Sequence, residues 1–255
     1  MYPELLHIGG LTIRTWGVFV IIGFLLAMIW AKKRCRKYNL NPIVIDHLTW
    51  IIIITGIIGA RIAYVIEHWQ TEFASNPFAV LAIWQGGLTL YGGVFLALIV
   101  CIIYVKRKGM SLSDTLDAIA PTVMLGLGIG RIGCFFNGCC FGKPTHLPWG
   151  MVFPPNSPAG YTFYGIKIHP TQLYSMAACL VIALLLTRIE RHDTFRAHTF
   201  FYMLLFYGMW RLGVDFIRYY EASAYVWHSL TFNQIISIGL IVFAVIALLS
   251  TRYRR

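Results

Sequence analysis

Long apolar runs recur along the chain, and most are closed by a short basic or polar cluster. They fall at about 16–31, 48–65, 78–105, 112–132, 168–187, 199–217 and 232–251. A helix needs roughly 20 mostly apolar residues to cross a bilayer. The pattern therefore predicts an all-α polytopic membrane protein of about seven transmembrane helices, organised as a single transmembrane domain over 1–255. The third run is the longest and carries two glycine pairs. Between the fourth and fifth runs lies the longest loop, roughly 133–167, rich in Gly and Pro.

Charge sets the orientation. Lys32, Lys33, Arg34, Arg36 and Lys37 follow the first run. Lys106, Arg107 and Lys108 follow the third, Arg188, Arg191 and Arg196 the fifth, and Arg252, Arg254 and Arg255 the seventh, together fourteen of the 21 Lys and Arg. Basic residues in short loops stay in the cytoplasm. With seven spans all four clusters share that side, so the amino terminus and the 133–167 loop face outward and the carboxyl terminus is cytoplasmic. The first run has no basic segment before it, has Glu4 early, and ends in a strong basic stop, so it is expected to remain as a span rather than be cleaved.

Composition agrees. Charged residues are 12% of the chain and hydrophobic ones 58%, against about 25% charged in soluble domains. The net charge of +11 would suit nucleic acid on a soluble surface. Here the basic residues sit beside apolar runs, so topology accounts for them and no nucleic-acid partner is expected.

Four arginines do not fit this accounting. Arg61, Arg131, Arg211 and Arg218 lie within or at the outer end of spans; a charge costs about 2.5–3.5 kcal/mol at a helix centre on insertion scales, and snorkelling reduces this greatly near an end. Each alone could tie helices together. Jointly, with only Asp215 among them, they predict a net positive cavity in the outer leaflet. Asp215 stands four residues after Arg211 and three before Arg218, so it can neutralise one of them. Such a cavity suits a membrane-lodged anion, and guanidinium matches phosphate with paired hydrogen bonds.

The stretch Gly126-Leu-Gly128-Ile-Gly130-Arg131-Ile-Gly133 contains a formal dinucleotide-binding pattern, but it lies in an apolar span without the required strand. Its glycines are expected to pack helices closely and to loosen the helix near Arg131. Cys134, Cys139 and Cys140 cluster in sequence. No histidine or acid lies at ligand spacing beside them, so no metal is assigned. A disulfide on an oxidising outer face is an alternative, and packing or site lining is the default. His169 opens the fifth span in His169-Pro170-Thr171-Gln172-Leu173-Tyr174 and could simply cap it.

Several motifs, in order along nearly the whole chain, resemble the prolipoprotein diacylglyceryl transferases of bacterial inner membranes. They are Thr15-Trp16-Gly17, Gly59-Ala60-Arg61, Trp84-Gln85-Gly86-Gly87-Leu88 with Tyr91-Gly92-Gly93, and Gly130-Arg131-Ile132-Gly133 with Phe136-Asn137-Gly138 and Gly142. The His169–Tyr174 run follows, then Arg211 with Asp215 and Arg218, and Asn233-Gln234-Ile235-Ile236-Ser237. The resemblance implies transfer of the diacylglyceryl group of phosphatidylglycerol to a lipobox cysteine of a preprolipoprotein, with release of glycerol phosphate at the periplasmic side and without a cofactor. It implies Arg131 and Arg211 as catalytic, with Tyr91 or His169 as the proton acceptor. Arg131, Arg61, Asn137, Gln172, Arg218 and Asp215 would bind the headgroup. Members of the family often carry histidine at the position of Tyr91, asparagine at Cys134, glutamate at Cys139 and tyrosine at Trp16. The arginines are kept while much of the acid–base set is not. Two alternatives stand beside this reading: an anionic-lipid transporter or flippase, and a paralogue with another acceptor. The inverted repeats of transporters are not found.

Overall fold

The computed structural model describes residues 4–8, 11–74, 76–191, 198–227 and 230–253. Arg196, Arg254 and Arg255 of the basic clusters lie outside these residues. The elements in order are β1 (Glu4–Ile8), β2 (Leu11–Arg14), α1 (Thr15–Cys35), α2 (Ile43–Glu67), α3 (Leu90–Arg107), α4 (Leu112–Asn137), α5 (Pro158–Thr162), α6 (Thr171–Ile189), α7 (His198–Asp215), β3 (Tyr225–Trp227), β4 (Leu230–Thr231) and α8 (Phe232–Tyr253). Helix dominates, but two short antiparallel hairpins, β1–β2 and β3–β4, add strand that the hydrophobic pattern does not announce.

Six of the described helices are long and apolar enough to cross a membrane: α1, α2, α3, α4, α6 and α8. Their outward faces are apolar. Ile54, Ile58, Ile62 and Ile66 of α2 and Val242, Ile246 and Leu249 of α8 are all exposed, as lipid contact requires. The chain is a multi-pass membrane protein. The helix expected over 199–217, α7, is not among the six. Its 18 residues include His198, Arg211 and Asp215 and many aromatics, which lower its hydropathy. The expected third span is also shorter than its apolar run. Residues 77–81 and 83–85 form 3-10 turns, and the helix begins only at Leu90.

Two compact units divide the chain, Met1–Trp30 with Leu116–Arg255, and Ala31–Thr115. In the second, α2 and α3 are joined through glycines. A Cβ on Gly92 would stand 2.3 Å from the Ala63 Cβ and 2.5 Å from the Gly59 carbonyl oxygen, and one on Gly93 would stand 2.6 Å from that of Gly56. Small residues let the two backbones touch, the usual device for packing helices in lipid.

In the first unit, a Cβ on Gly23 of α1 would meet the Gly126 carbonyl oxygen of α4 at 2.7 Å, and Gly133 lies against Trp16 and Phe19. The packing role expected of these glycines is therefore present. The expected loosening is not, because α4 is helical without a break through Arg131 to Asn137. Ala120 and Met124 of α4 form a core with Ile182, Ala183 and Leu186 of α6 and Met203 of α7. Buried Asp117 of α4 accepts the Phe200 backbone N–H at 2.8 Å, satisfying one of the donors that the first turn of α7 leaves open. A second, aromatic core organises the segment after α4: Phe141, Phe153, Ala159 and Ile168, with Phe135, Phe163 and Tyr219 packed against it.

Candidate active site

The site begins where α4 ends. The Gly138 N–H donates to the Phe135 carbonyl at 3.1 Å and the Cys139 N–H to the Cys134 carbonyl at 3.2 Å. Gly138 has φ +69°. These are the two bonds and the left-handed residue of a Schellman cap. The cap turns the chain back over the last helical turn, so Cys139 returns above Cys134. Cys140 follows with φ +60°, a left-handed conformation that costs a non-glycine residue about 1–2 kcal/mol. The outcome is that the sulfurs of Cys134, Cys139 and Cys140 all lie within 4.8 Å of one another. All three are free thiols.

The turn is pinned from α6. The Thr171 hydroxyl donates to the Cys140 carbonyl at 2.7 Å, and Gln172 Nε2 donates to the Cys139 carbonyl at 2.7 Å. Gln172 and Thr171 are both buried, and Gln172 Oε1 has no hydrogen-bond partner. Gln172, expected to meet the headgroup, holds the cysteine turn. Asn137 ends α4 and hydrogen-bonds Cys139. His169 shares the strip: its carbonyl accepts the Gly142 N–H at 3.0 Å, its N–H donates to Lys143 at 3.1 Å, and its ring Nδ1 lies 3.4 Å from the Tyr174 hydroxyl.

Cations surround the thiols. Gly142 and Arg218 form an antiparallel bridge, while the N–H groups of Tyr219 and Lys143 donate to Phe141 and Ile217 at 3.1 and 2.8 Å. This pairing lays the segment after α7 along the segment after α4. Arg218 and Arg131 both act on Cys140 electrostatically. Hydrogen bonds from Cys134 and Cys139 hold the Cys140 thiol well below its ordinary range, and the two arginines act in the same direction against burial. Arg131 is half-buried, with the Tyr207 hydroxyl and the cysteines as its electrostatic neighbours. Arg218 stacks over the Tyr220 ring at 5.1 Å, and its Nε is buried without a hydrogen-bond partner. Neither arginine has a carboxylate partner among the described residues.

Arg211 differs. Its Nη1 meets Asp215 Oδ1 at 2.5 Å and its Nη2 donates to the Tyr220 hydroxyl at 2.9 Å, while that hydroxyl donates to Asp215 at 2.8 Å. Asn233 Nδ2 joins at 3.4 Å. Asp215, able by spacing to neutralise Arg211 or Arg218, is taken by Arg211. Burial pushes the Tyr220 hydroxyl above its usual range, with Arg218 and Arg211 pulling the other way. Tyr220, Tyr207 and Thr171 are absent from the expected site residues. Tyr220 stands two positions after Arg218, and that proximity is the one signal that could have found it.

Arg61 and Tyr91 belong to the second unit. Arg61 is buried, and its guanidinium donates to the carbonyls of Val80 (2.9 Å), Gly86 (2.7 Å), Gly87 (3.0 Å), Ala79 (2.7 Å) and Ala82 (3.4 Å). An arginine has five N–H donors, so main-chain carbonyls occupy the whole fork. Gly86 and Gly87 have φ of +91° and +76°, which lets the chain present both carbonyls to it. Tyr91 is exposed in the first turn of α3.

The family model for prolipoprotein diacylglyceryl transferase matches residues 3–250. A phosphatidylglycerol–prolipoprotein diacylglyceryl transferase of Pseudomonas syringae pv. syringae (strain B728a) is 33% identical over 261 residues, covering 99% of this chain and 94% of its own. The protein of that name from Pseudomonas aeruginosa PAO1 is 34% identical over 263 residues with the same coverage, and that of Pseudomonas putida F1 is 33% identical over 247 residues, covering 94% and 90%. With a match along nearly its whole length, the chain belongs to the prolipoprotein diacylglyceryl transferase family.

Proposed function

We propose that this chain transfers the diacylglyceryl group of phosphatidylglycerol to a prolipoprotein cysteine and releases glycerol phosphate, the first step of bacterial lipoprotein maturation. The observation that carries this reading is the pair Arg131 and Arg218, two cations at the end of α4 and after α7 with no carboxylate partner among the described residues. A buried or half-buried charge needs a counter-ion, and a phospholipid phosphate supplies one from the bilayer itself.

The reaction is displacement at a saturated carbon. The acceptor sulfur forms a bond to the glyceryl carbon, the carbon–oxygen bond breaks, and its electron pair stays on the phosphate oxygen. Arg131 stabilises the charge that develops on the leaving phosphate, and Arg218 adds a second guanidinium to the same anion. Arg211, already paired with Asp215 and Tyr220, shapes the rim and keeps Tyr220 under Arg218. Asn137 and Gln172 support the turn on which the acceptor arrives. His169, the candidate base in the same unit as Arg131 and Arg218, takes the acceptor proton.

The acceptor is the cysteine of a lipobox segment. In the bilayer, α7 makes a seventh crossing, shielded from lipid through its contacts with α6 and α8. The amino terminus and the 138–170 segment then face the periplasm, and the carboxyl terminus faces the cytoplasm of a bacterial inner membrane. Purified protein with phosphatidylglycerol and a lipobox peptide should yield a peptide heavier by one diacylglyceryl group in thioether linkage, read by mass spectrometry. An unmodified peptide from well-folded protein would contradict the reading.

A further inference from the structure

The three sulfurs at the end of α4 have no role in the displacement as written, yet the fold spends much on them. Cys140 holds a left-handed backbone. Thr171 and Gln172 fix the two carbonyls that set the turn. A sulfur on zinc sits about 2.3 Å from the metal, which places paired sulfurs about 3.8 Å apart in a tetrahedral site and about 4.0 Å in a trigonal one. The cysteine ligand atoms already lie within 4.8 Å of one another, so side-chain rotation of less than about 1 Å per pair closes the site without moving the backbone.

We propose that Cys134, Cys139 and Cys140 bind one thiophilic divalent cation of the zinc type, and that its open fourth position takes the acceptor thiol. Three thiolates select soft or borderline d10 cations, and three protein ligands with one open position are the mark of a reactive rather than a structural zinc site. This inference rests on the transfer reading for the identity of the fourth ligand.

Charge supports it. Three thiolates on a divalent cation carry a net charge of −1, and a fourth thiolate makes it −2. Arg131 and Arg218, the two cations acting on Cys140, offset part of that charge through space while their N–H donors serve the phosphate. The chemistry supports it as well. A coordinated thiol is deprotonated outright, so the acceptor S–H gives up its proton, to His169 or through it to water, as the sulfur binds. A lone pair of the bound sulfur then forms the bond to the glyceryl carbon while the carbon–oxygen bond breaks onto the phosphate. Neither step is a redox step. The product thioether is neutral and a weaker ligand, so it leaves and reopens the fourth position. Thiol activation thus comes from the cysteines themselves.

The test uses full-length protein purified in detergent under reducing conditions. Titration with Co2+ should give thiolate-to-cobalt charge-transfer absorption saturating at one ion per chain, and Zn2+ should displace it. Cys139→Ser and Cys140→Ser, each checked for folding by thermal unfolding, should lose that absorption. X-ray absorption of the zinc-loaded protein should count three sulfurs, and four after a lipobox peptide is added, but not after the same peptide with its cysteine replaced by serine. The fourth sulfur is read without turnover, so failure of the transfer reaction leaves this test standing. Reduced, folded protein that shows no charge-transfer absorption would overturn the proposal. So would a sulfur count unchanged by the peptide, or chelator-stripped protein that transfers at the full rate.

Discussion

Gln172 Nε2 donates to the carbonyl of Cys139 across 2.7 Å, tying the start of α6 to the turn that ends α4. It works beside the Thr171–Cys140 bond, with the Gln172 side chain buried and no other donor to the Cys139 carbonyl among the described residues. Gln172→Ala should cost about 1–3 kcal/mol, the penalty of leaving a part-buried acceptor unpaired. Thermal unfolding in detergent measures it. Turnover should fall further than stability alone explains, since the cysteine turn would no longer be held. Unchanged stability and turnover would show that the bond does not set the site.

Asp215 and Arg211 form a buried pair, with the Asp215 side chain fully inaccessible. Removing one member of such a pair strands the other. Asp215→Asn should therefore destabilise the protein by about 3–5 kcal/mol. Tyr220→Phe, which removes only a bridging hydroxyl, should cost about 1 kcal/mol. Denaturation of both variants side by side checks the order, and a Tyr220→Phe variant less stable than Asp215→Asn would reverse the hierarchy.

Arg61 spends its whole fork on five carbonyls. Lysine has three donors and no fork, so Arg61→Lys should leave at least two of those carbonyls unsatisfied, at about 1–3 kcal/mol each where they are buried. The loss should appear as a lower Tm and as new protease cleavage within 77–87. A variant with normal Tm and normal protection but weak phosphatidylglycerol binding would make Arg61 a lipid ligand instead.

Topology is open to a direct check. A reporter active only in the periplasm should be active when fused after Ser157 and silent when fused after Arg255. The basis is the fourteen basic residues at the ends of alternate spans, which resist translocation. The reverse pattern would put the cysteine turn and its arginines on the cytoplasmic face.

Much of this was legible in the chain. Runs of about 20 apolar residues locate five of the helices closely, and spacing puts Asp215 within reach of Arg211 and Arg218 while leaving open which of them it takes. The close packing at Gly126 and Gly133 follows from small residues in an apolar run. The segment 77–87 was not legible, since Phe78, Val80, Leu81 and Ile83 read as the start of a span. It becomes turns because Arg61 gathers its carbonyls, an interaction between residues about twenty positions apart that leaves no periodic mark. The cysteine cluster was hidden for a different reason. Spacings of five and one mean little until a left-handed Gly138 folds the chain back over α4.

The central claim is that Arg131 stabilises the phosphate that leaves. Arg131→Lys keeps the charge but loses the paired hydrogen bonds of the fork, and Arg131→Gln loses both. Removing one such stabilising group typically costs about 2–4 kcal/mol in the transition state, on the order of 30- to 1000-fold in rate. The decisive measurement is turnover of Arg131→Gln with phosphatidylglycerol and a lipobox peptide, on protein shown to be folded by thermal unfolding. The account predicts a loss in that range for Arg131→Gln and a smaller loss for Arg131→Lys; a folded Arg131→Gln protein turning over at the unmodified rate would contradict it.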